Sequence, residues 1–289
     1  MFKGLARPRV IRARARTGLS RSGLPDLDYA LNPYLGCWHS CLYCYAREYV
    51  GHPEASTRWG EVIVVRENIV ELLQHEVRYK RRGVVGVGTI TDAYQPLEAL
   101  YKLTRRSIEL LLKHGFQVSI QTKNTLVLRD LDILEEYRRL VDIGVTITSM
   151  DYEKARVFEP RAPPPAARAR VLAEASTRGL ETWIFMGPII PGYNDDEASI
   201  EEILSLARET KSILYYDKLR AKKFMLHPSS PMREAAEKTM GYDWPRLERM
   251  IRRLCERYGV VCRPGMEYGP SSEARLDKYL GKPRKGELV

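Results

Sequence analysis

Three features that this 289-residue chain lacks limit the functions that it can have. No apolar run approaches the roughly 18–20 residues that a bilayer-spanning helix needs, so we expect no membrane segment. The basic N-terminus has no apolar stretch behind it, and a secretory signal is therefore not expected. The chain has five cysteines, three of them within eight positions, which is unlike a disulfide scaffold. These features predict a cytoplasmic protein whose clustered cysteines bind a metal in a reducing compartment.

Side-chain amides are also scarce, and acids are fewer than bases. The chain has four Asn and four Gln, and 47 Lys and Arg against 37 Asp and Glu, for a net charge of +10. An excess of positive charge favours a polyanionic partner such as nucleic acid. A surface rich in Arg and Glu is also typical of thermophiles, and charge alone does not choose between these interpretations. A hydrophobic content of 44% is enough for a sizeable globular core.

The chain divides into three parts. Residues 1–23 are a basic N-terminal arm without acids, which either follows a phosphate backbone or lies with its arginine stems across the body. Residues 24–220 alternate between strand and helix patterns, which predicts parallel strands with right-handed crossovers. We therefore expect an α/β fold, a partial (βα)6 TIM-type barrel whose active site lies at the C-terminal ends of its strands. Residues 221–289 are a small C-terminal helical extension and tail.

The boundaries of these elements follow from apolar runs and turn residues. The first strand ends near Pro33. Further strands are predicted at 84–91, 117–122, 145–149, 181–190 and 213–219. Helices are predicted at 97–114, 131–140, 166–178, 195–209 and 244–257, followed by a short strand at 259–262.

The segment 32–47 reads NPYLGCWHSCLYCYAR and has CxxxCxxC spacing, just after the first predicted strand. Its cysteines are Cys37, Cys41 and Cys44. Three thiolates on one loop can ligate three irons of a [4Fe–4S] cubane and leave the fourth iron without a protein ligand. In the family that this motif resembles, S-adenosylmethionine (SAM) chelates the open iron through its amino and carboxylate groups, and an electron from the cluster breaks the sulfonium bond to C5′. Zinc is the alternative, but it needs a fourth ligand, which His39 or His52 would have to supply.

These residues resemble the radical SAM superfamily, and more closely its spore photoproduct lyase-like branch, often labelled "DNA repair photolyase". The resemblance covers roughly residues 24–220. Further motifs that carry it are GTITDAYQPLE at 88–98, TK at 122–123, LRDLDIL at 128–134, FEPRAPPP at 158–165 and PIIPGYND at 188–195. It implies a radical SAM enzyme that takes electrons from a ferredoxin or flavodoxin. In such an enzyme a 5′-deoxyadenosyl radical abstracts hydrogen from the substrate.

The resemblance also suggests cofactor-binding residues. It places Thr91 near SAM, with Asp92 organising the strand end beside it. Lys123 follows a buried strand and is positioned to pair with the SAM carboxylate. Thr148 matches a hydroxyl that lies near SAM in the lyase. Arg161 and Arg168 are candidates to neutralise a carboxylate or a substrate phosphate, and the alternative for Arg161 is to brace Glu159.

The candidate catalytic residues are Tyr43 and Tyr45, which flank Cys44. Tyrosines at the matching positions of the lyase are linked to adenine contact and hydrogen-atom transfer, and Tyr43 is also a candidate cofactor contact. Aromatic packing around the cluster is the alternative. The chain departs from the lyase at Thr89, which stands where the lyase has a hydrogen-donor cysteine. A threonine O–H bond is too strong to quench a carbon radical as a thiol does, which argues against spore photoproduct repair.

Several questions stay open at this point. Cys255 and Cys262 supply a hydrogen atom, belong to a second cluster, or are buried small apolar residues. The basic charge and the family label point to a nucleic acid base or nucleoside as substrate, with a peptide or metabolite as the alternative. Two rival functions are a non-enzymatic, metal-stapled nucleic-acid-binding protein and a methyltransferase that uses SAM without a radical.

Overall fold

Short apolar segments of the sequence form strands throughout residues 7–265, the part of the chain that this computed structural model describes. The strands are β1 (Arg9–Ala13), β2 (Ser20–Arg21), β3 (Tyr29–Leu31), β4 (Tyr34–Leu35), β5 (Val62–Arg66), β6 (Val84–Val87), β7 (Gln117–Thr122), β8 (Val141–Thr146), β9 (Glu181–Ile189), β10 (Ile213–Lys218) and β11 (Cys262–Pro264). The first six residues of the basic arm and the predicted tail after Gly265 lie outside the described residues.

Eight of these strands form one sheet in the order β11-β10-β9-β8-β7-β6-β3-β2. All neighbours from β3 to β11 pair in parallel, and β2 pairs antiparallel with β3 at the edge. Over residues 7–265 the sheet stays open, with β2 and β11 as its edges. The six central strands from β3 to β10 confirm the α/β fold and the partial barrel that the alternating pattern predicts.

Helices cover the faces of this sheet. They are α1 (Pro53–Thr57), α2 (Ile69–Glu76), α3 (Glu98–Tyr101), α4 (Leu103–Lys113), α5 (Leu131–Glu136), α6 (Tyr152–Phe158), α7 (Pro165–Thr177), α8 (Glu197–Glu209), α9 (Arg233–Lys238) and α10 (Trp244–Tyr258). Helix α4 packs on β7, α7 on β8 and β9, and α8 on β9 and β10, while α10 packs outside α8. Among the described residues, no helix is long and apolar enough to cross a membrane.

The core lies between the sheet and these helices. Central positions of successive strands are fully buried, as the continuous apolar runs of parallel strands require. Examples are Val85, Ile120, Ile143, Ile184 and Leu214. Buried strands with helices on their outer faces leave the loops after the strands to build a site at one end of the sheet.

A second sheet has the order β1-β5-β4 and was not predicted. Its first strand lies in the basic arm and pairs in parallel with β5. The arm's arginines Arg9, Arg12 and Arg14 form ion pairs with glutamates of the body. These three guanidinium groups therefore lie across the body and are engaged by the protein's own carboxylates.

Several predicted boundaries differ from the structure. The strand predicted at 84–91 ends at Val87, because Gly88 has a φ of +84° and begins the loop, and the short strand predicted at 259–262 is β11 at Cys262–Pro264. The fourth barrel strand is β8 at Val141–Thr146 rather than 145–149, because the buried run that pairs with β7 and β9 begins earlier. The helix predicted at 97–114 is interrupted at Lys102, whose φ is +50°, and becomes α3 and α4. The helix predicted at 131–140 is the shorter α5 followed by a 3-10 turn.

Candidate active site

The cysteine loop begins directly after β4, at Gly36. This glycine has a φ of +81°, and a Cβ at its position would lie 2.6 Å from the carbonyl oxygen of Val62, so the turn requires glycine. Cys37 and Cys41 are buried and Cys44 is half-buried, and none of the three forms a disulfide. The loop therefore presents three free thiols at the end of the small sheet, beside the first barrel strand.

The electrostatics of the thiols suit a polynuclear iron site. Burial raises the pKa of all three, that of Cys41 to about 12. Negative charge on Cys41 and Cys44 would raise the pKa of Cys37 further, which shows that the three groups are neighbours. Buried thiols of this kind become thiolates only beside strong positive charge, which iron supplies. Within residues 7–265 no three His, Cys, Asp or Glu side chains converge as a single ion requires, whereas a cubane binds each cysteine at a different iron.

Asp92 anchors the loop after β6 to its surroundings. Its Oδ1 accepts hydrogen bonds from the Tyr94 N–H at 2.9 Å and the Thr122 hydroxyl at 2.7 Å. Its Oδ2 accepts from the Lys123 N–H at 2.8 Å and lies 3.2 Å from Nδ1 of His39. Burial alone would raise the pKa of Asp92, but these partners outweigh it and lower the pKa to about 2. The carboxylate is thus saturated by protein donors and organises the strand ends.

His39 lies inside the cysteine loop and is almost fully buried. Its Nε2 is 3.1 Å from Nδ2 of Asn124, whose Oδ1 accepts the Leu126 N–H at 3.0 Å. Because Asn124 therefore donates through Nδ2, we assign Nε2 of His39 as an acceptor and Nδ1 as the protonated nitrogen that faces Asp92. Both ring nitrogens are used within the protein. His39 is consequently not available as the fourth ligand of a zinc site.

A buried polar network lies on the other side of the loop. The Tyr43 hydroxyl and the Thr148 hydroxyl both donate to Oε1 of Glu159, the latter at 3.2 Å. Arg168, which is 1% exposed, lies 2.5 Å from Oε2 of the same carboxylate. Burial would raise the pKa of Glu159, but the charges of Arg168 and Lys123 and the Tyr43 hydrogen bond hold it below its usual range. The carboxylate is therefore ionised and fixes the Tyr43 side chain.

Arg161 does not brace Glu159; Arg168 does. The Arg161 guanidinium instead donates to the Gly60 carbonyl at 2.8 Å. The reason is geometric: Arg161 lies in the loop between α6 and α7, whereas Arg168 lies within α7 with its guanidinium turned into the core.

A cavity of about 550 Å³ opens at the C-terminal ends of the barrel strands. Each central strand contributes a residue within two positions of its C-terminal end. These residues are Asn32, Thr89, Gln121, Thr146, Gly187 and Asp217. The volume falls within the range of small-molecule sites. The position of the cavity is the one expected for a barrel active site.

The predicted site residues divide into two groups around this cavity. Tyr43, Cys44, Tyr45 and Lys123 line it. Tyr45 donates its hydroxyl to the Thr89 carbonyl at 2.8 Å, and Nζ of Lys123 lies 5.6 Å from the centre of the Tyr43 ring. The second group does not line it. Cys37, Cys41, Thr91, Asp92 and Thr148 are buried, and Arg161 is half-buried and donates to the Gly60 carbonyl.

Thr89, the residue at the predicted departure from the lyase, also lines the cavity. Its hydroxyl accepts a hydrogen bond from the Asn32 side chain at 3.0 Å.

The two remaining cysteines form a disulfide, which corrects the sequence-based interpretation of both. Cys255, near the end of α10, is bonded to Cys262 of β11. The short turn after α10 brings β11 back beside the helix, so the two sulfurs meet. Neither is therefore a free thiol in this structure, and they do not supply a hydrogen atom or a cluster ligand as thiols.

Comparison with known proteins decides the family. A sequence profile described as "Radical SAM superfamily" matches residues 31–207, which is more than half of the chain. The chain belongs to the radical SAM superfamily. It is an enzyme of that superfamily, and membership implies a [4Fe–4S] cluster and SAM. An uncharacterized protein of Methanocaldococcus jannaschii is 29% identical over 74% of this chain and 78% of its own length. An uncharacterized protein of Acidianus two-tailed virus is 32% identical over 72% of both chains.

Solved structures show the same radical SAM fold. A spore photoproduct lyase complexed with dinucleoside spore photoproduct superposes with a TM-score of 0.64, at 16% identity, over 88% of this chain and 81% of the lyase. A radical SAM methyltransferase from Sphaerobacter thermophilus superposes with a TM-score of 0.54, at 15% identity, over 85% of this chain and 68% of the methyltransferase. At these identities the likeness concerns the fold.

The sequence indicates Arg168 as a candidate cation but does not predict that it pairs with Glu159 under Tyr43. It also does not predict that Asn124 fixes His39 or that Gln95 contacts the backbone of the cysteine loop. The signal for Gln95 and Asn124 is their position in the loops that follow β6 and β7, where the loops of a barrel converge.

Proposed function

We propose that Cys37, Cys41 and Cys44 hold the [4Fe–4S] cluster and that SAM and the substrate bind in the adjoining cavity. The observation that carries this proposal is the position of Cys44 in the cavity wall, with Cys37 and Cys41 buried behind it. When bound, the cluster would supply the electron that cleaves SAM to a 5′-deoxyadenosyl radical, and this radical would abstract hydrogen from the substrate. An external low-potential donor such as a ferredoxin or flavodoxin supplies the electron.

The chain's own residues bind and orient SAM. Lys123 presents a cation to the cavity beside the cysteine loop, and its role is to pair with the SAM carboxylate. Tyr43 gives its hydroxyl to Glu159 and therefore offers only its ring, which suits packing against the adenine. Tyr45 is held at the wall by the Thr89 carbonyl and is the candidate for hydrogen-atom transfer. The other predicted cofactor residues do not line the cavity and act through the residues that do. They are Thr91, Asp92, Thr148 and Arg161.

The substrate we propose is a nucleic acid base or nucleoside. The charge of the cavity wall supports this class, because it carries five basic residues and one acid, Asp217. The basic residues are Arg21, Lys123, Lys218, Arg220 and Lys222. Lys123 is assigned to SAM, Arg220 pairs with Asp217 and Lys222 pairs with Glu48, so Arg21 and Lys218 are the first candidates to contact phosphate. Phosphate groups on either side of a bound base would neutralise this rim.

Electron paramagnetic resonance tests the cofactor part of the proposal. The protein is reconstituted with iron and sulfide under anaerobic conditions and reduced with dithionite, and its spectrum is recorded with and without SAM. We expect the signal of a reduced [4Fe–4S] cluster that changes when SAM is added, and a SAM-induced change that weakens when Lys123→Met removes the cation. A spectrum that SAM leaves unaltered would contradict SAM binding at the cluster.

Salt-dependent binding tests the substrate class. A fluorescently labelled single-stranded oligonucleotide is titrated with wild type, with Lys218→Gln and with Arg170→Gln, whose arginine lies exposed on α7 away from the cavity. We expect affinity that falls with salt, and a log–log slope reduced by about 1 in Lys218→Gln only. No binding at low salt, or equal losses in both variants, would overturn the nucleic acid substrate and leave a peptide or metabolite.

A further inference from the structure

The side chain of Gln95 forms hydrogen bonds with the peptide groups on both sides of Cys37. Its Oε1 accepts the Trp38 N–H at 2.9 Å, and its Nε2 donates to the Gly36 carbonyl at 3.2 Å. Those two groups belong to the peptide bonds that enter and leave Cys37. Gln95 itself is fully buried. One amide therefore satisfies the backbone before and after the first cysteine of the loop.

Only a carboxamide fits this position. The Trp38 N–H requires an acceptor and the Gly36 carbonyl requires a donor, and these needs fix the orientation of the Gln95 amide. The remaining Nε2 contact is with the Thr91 hydroxyl at 3.1 Å. That hydroxyl donates to the same Gly36 carbonyl at 2.6 Å. The contacts form a closed set in which each polar atom has a partner.

The backbone on either side leaves Cys37 little freedom. Gly36 has a positive φ, and a Cβ at its position would lie 2.6 Å from the Val62 carbonyl oxygen. His39, two residues after Cys37, contacts Asp92 with one ring nitrogen and Asn124 with the other. With Gln95 removed, a buried carbonyl would lose one donor and a buried N–H would have to find another acceptor.

We infer that Gln95 is a positioning residue for Cys37: by fixing the two flanking peptide groups, it sets where this sulfur meets its iron. It acts through the cysteine and touches neither SAM nor substrate. The inference rests on the proposed cluster at this loop. It predicts that the cluster is held less tightly and in an altered geometry when Gln95 is replaced.

The chain contains a matched control for this amide. Asn68 is also buried, and its side chain likewise accepts the N–H of Ala15 at 2.6 Å and donates to the Ala15 carbonyl at 3.0 Å. It holds the segment after β1 and contacts no cysteine of the loop. Asn68→Leu and Gln95→Met therefore remove the same kind of contact with similar loss of polar atoms, but only the second bears on Cys37.

The experiment compares three reconstituted proteins: wild type, Gln95→Met and Asn68→Leu. Iron and sulfide content, the spectrum of the reduced cluster and the rate at which a chelator removes iron are measured under anaerobic conditions. We expect Gln95→Met to lose iron faster by on the order of tenfold, which corresponds to about 1.4 kcal/mol. Its reduced-cluster spectrum should shift as well, whereas Asn68→Leu should match wild type in both readouts.

Each other outcome counts against the inference. Wild-type behaviour of Gln95→Met, or equally fast iron loss from Asn68→Leu, would overturn the role of Gln95 and leave the proposed function standing. A wild-type protein that takes up no [4Fe–4S] cluster would overturn the proposed function and this inference together. If circular dichroism shows that Gln95→Met is unfolded, Gln95→Glu replaces it, since the carboxylate keeps the acceptor for the Trp38 N–H but removes the donor to the Gly36 carbonyl. Unchanged iron loss from that variant would overturn the inference.

Discussion

Replacing Arg168 with methionine isolates the buried ion pair beneath Tyr43. Arg168 and Glu159 are both almost fully buried, and their side chains meet at 2.5 Å. Arg168 also donates to the carbonyls of Pro163 at 2.7 Å and Thr146 at 3.1 Å. Methionine preserves much of the aliphatic stem but leaves Glu159 without its counter-charge and the two carbonyls without this donor. The variant should therefore be strongly destabilised.

The size of the effect follows from these contacts. Breaking a buried pair by removing one partner costs about 3–5 kcal/mol, because it leaves an uncompensated buried charge. In a domain of this size that loss corresponds to a fall in melting temperature of roughly 10 °C. The control is Arg170→Met on the same helix, where Arg170 pairs with Glu174 at an exposed position. Exposed pairs contribute at most about 1 kcal/mol.

Thermal unfolding followed by circular dichroism measures both variants, and its pH dependence adds a second check. In wild type the pKa of Glu159 is lowered, so its contribution to stability is present above its unfolded pKa and is lost in acid. Without Arg168, burial favours the protonated form of Glu159. The variant therefore gains stability relative to wild type as pH falls toward about 4. The gap in melting temperature should therefore be widest at neutral pH. Equal small losses from Arg168→Met and Arg170→Met would refute this reasoning.

Three further predictions concern other parts of the molecule. Gly144→Ala should lower stability by more than about 3 kcal/mol, because the added Cβ would lie 2.0 Å from the Trp183 ring; an unchanged melting temperature would contradict this packing. Lys123→Met should weaken SAM binding by on the order of tenfold in calorimetry, since a charge-assisted contact is lost, and an unchanged Kd would show that the lysine does not bind SAM. Cys255→Ser/Cys262→Ser should cost about 2 kcal/mol of unfolding free energy, and reductant should destabilise wild type but not this variant; equal sensitivity of both would argue against the disulfide.

The barrel could be predicted because its signals are local. Each of β6, β7, β9 and β10 is a short apolar run bounded by turn residues, and the helix between each pair has its own apolar face. The cysteine spacing is equally local and needs no tertiary information. Strand β1 escaped prediction because it carries Arg9 and Arg12, whose glutamate partners lie as far as 55 positions away in the sequence.

The contacts that hold the site are non-local and could not be predicted in the same way. The choice of Arg168 over Arg161 as the partner of Glu159 depends on the rotation of α7 about its axis, which periodicity alone does not fix. The pairing of Cys255 with Cys262 depends on β11 returning along α10. The hydrogen bonds between Gln95 and the cysteine loop form only because two segments separated by nearly sixty residues approach each other in the fold.

The central claim is that the three loop cysteines support reductive cleavage of SAM. The most direct measurement is 5′-deoxyadenosine, quantified by mass spectrometry after anaerobic reconstitution with iron and sulfide and addition of SAM and dithionite. We expect production by wild type and by Cys255→Ser/Cys262→Ser, and none by Cys41→Ala. Equal production by Cys41→Ala, or none from a wild-type protein whose [4Fe–4S] cluster is spectroscopically intact, would contradict the account.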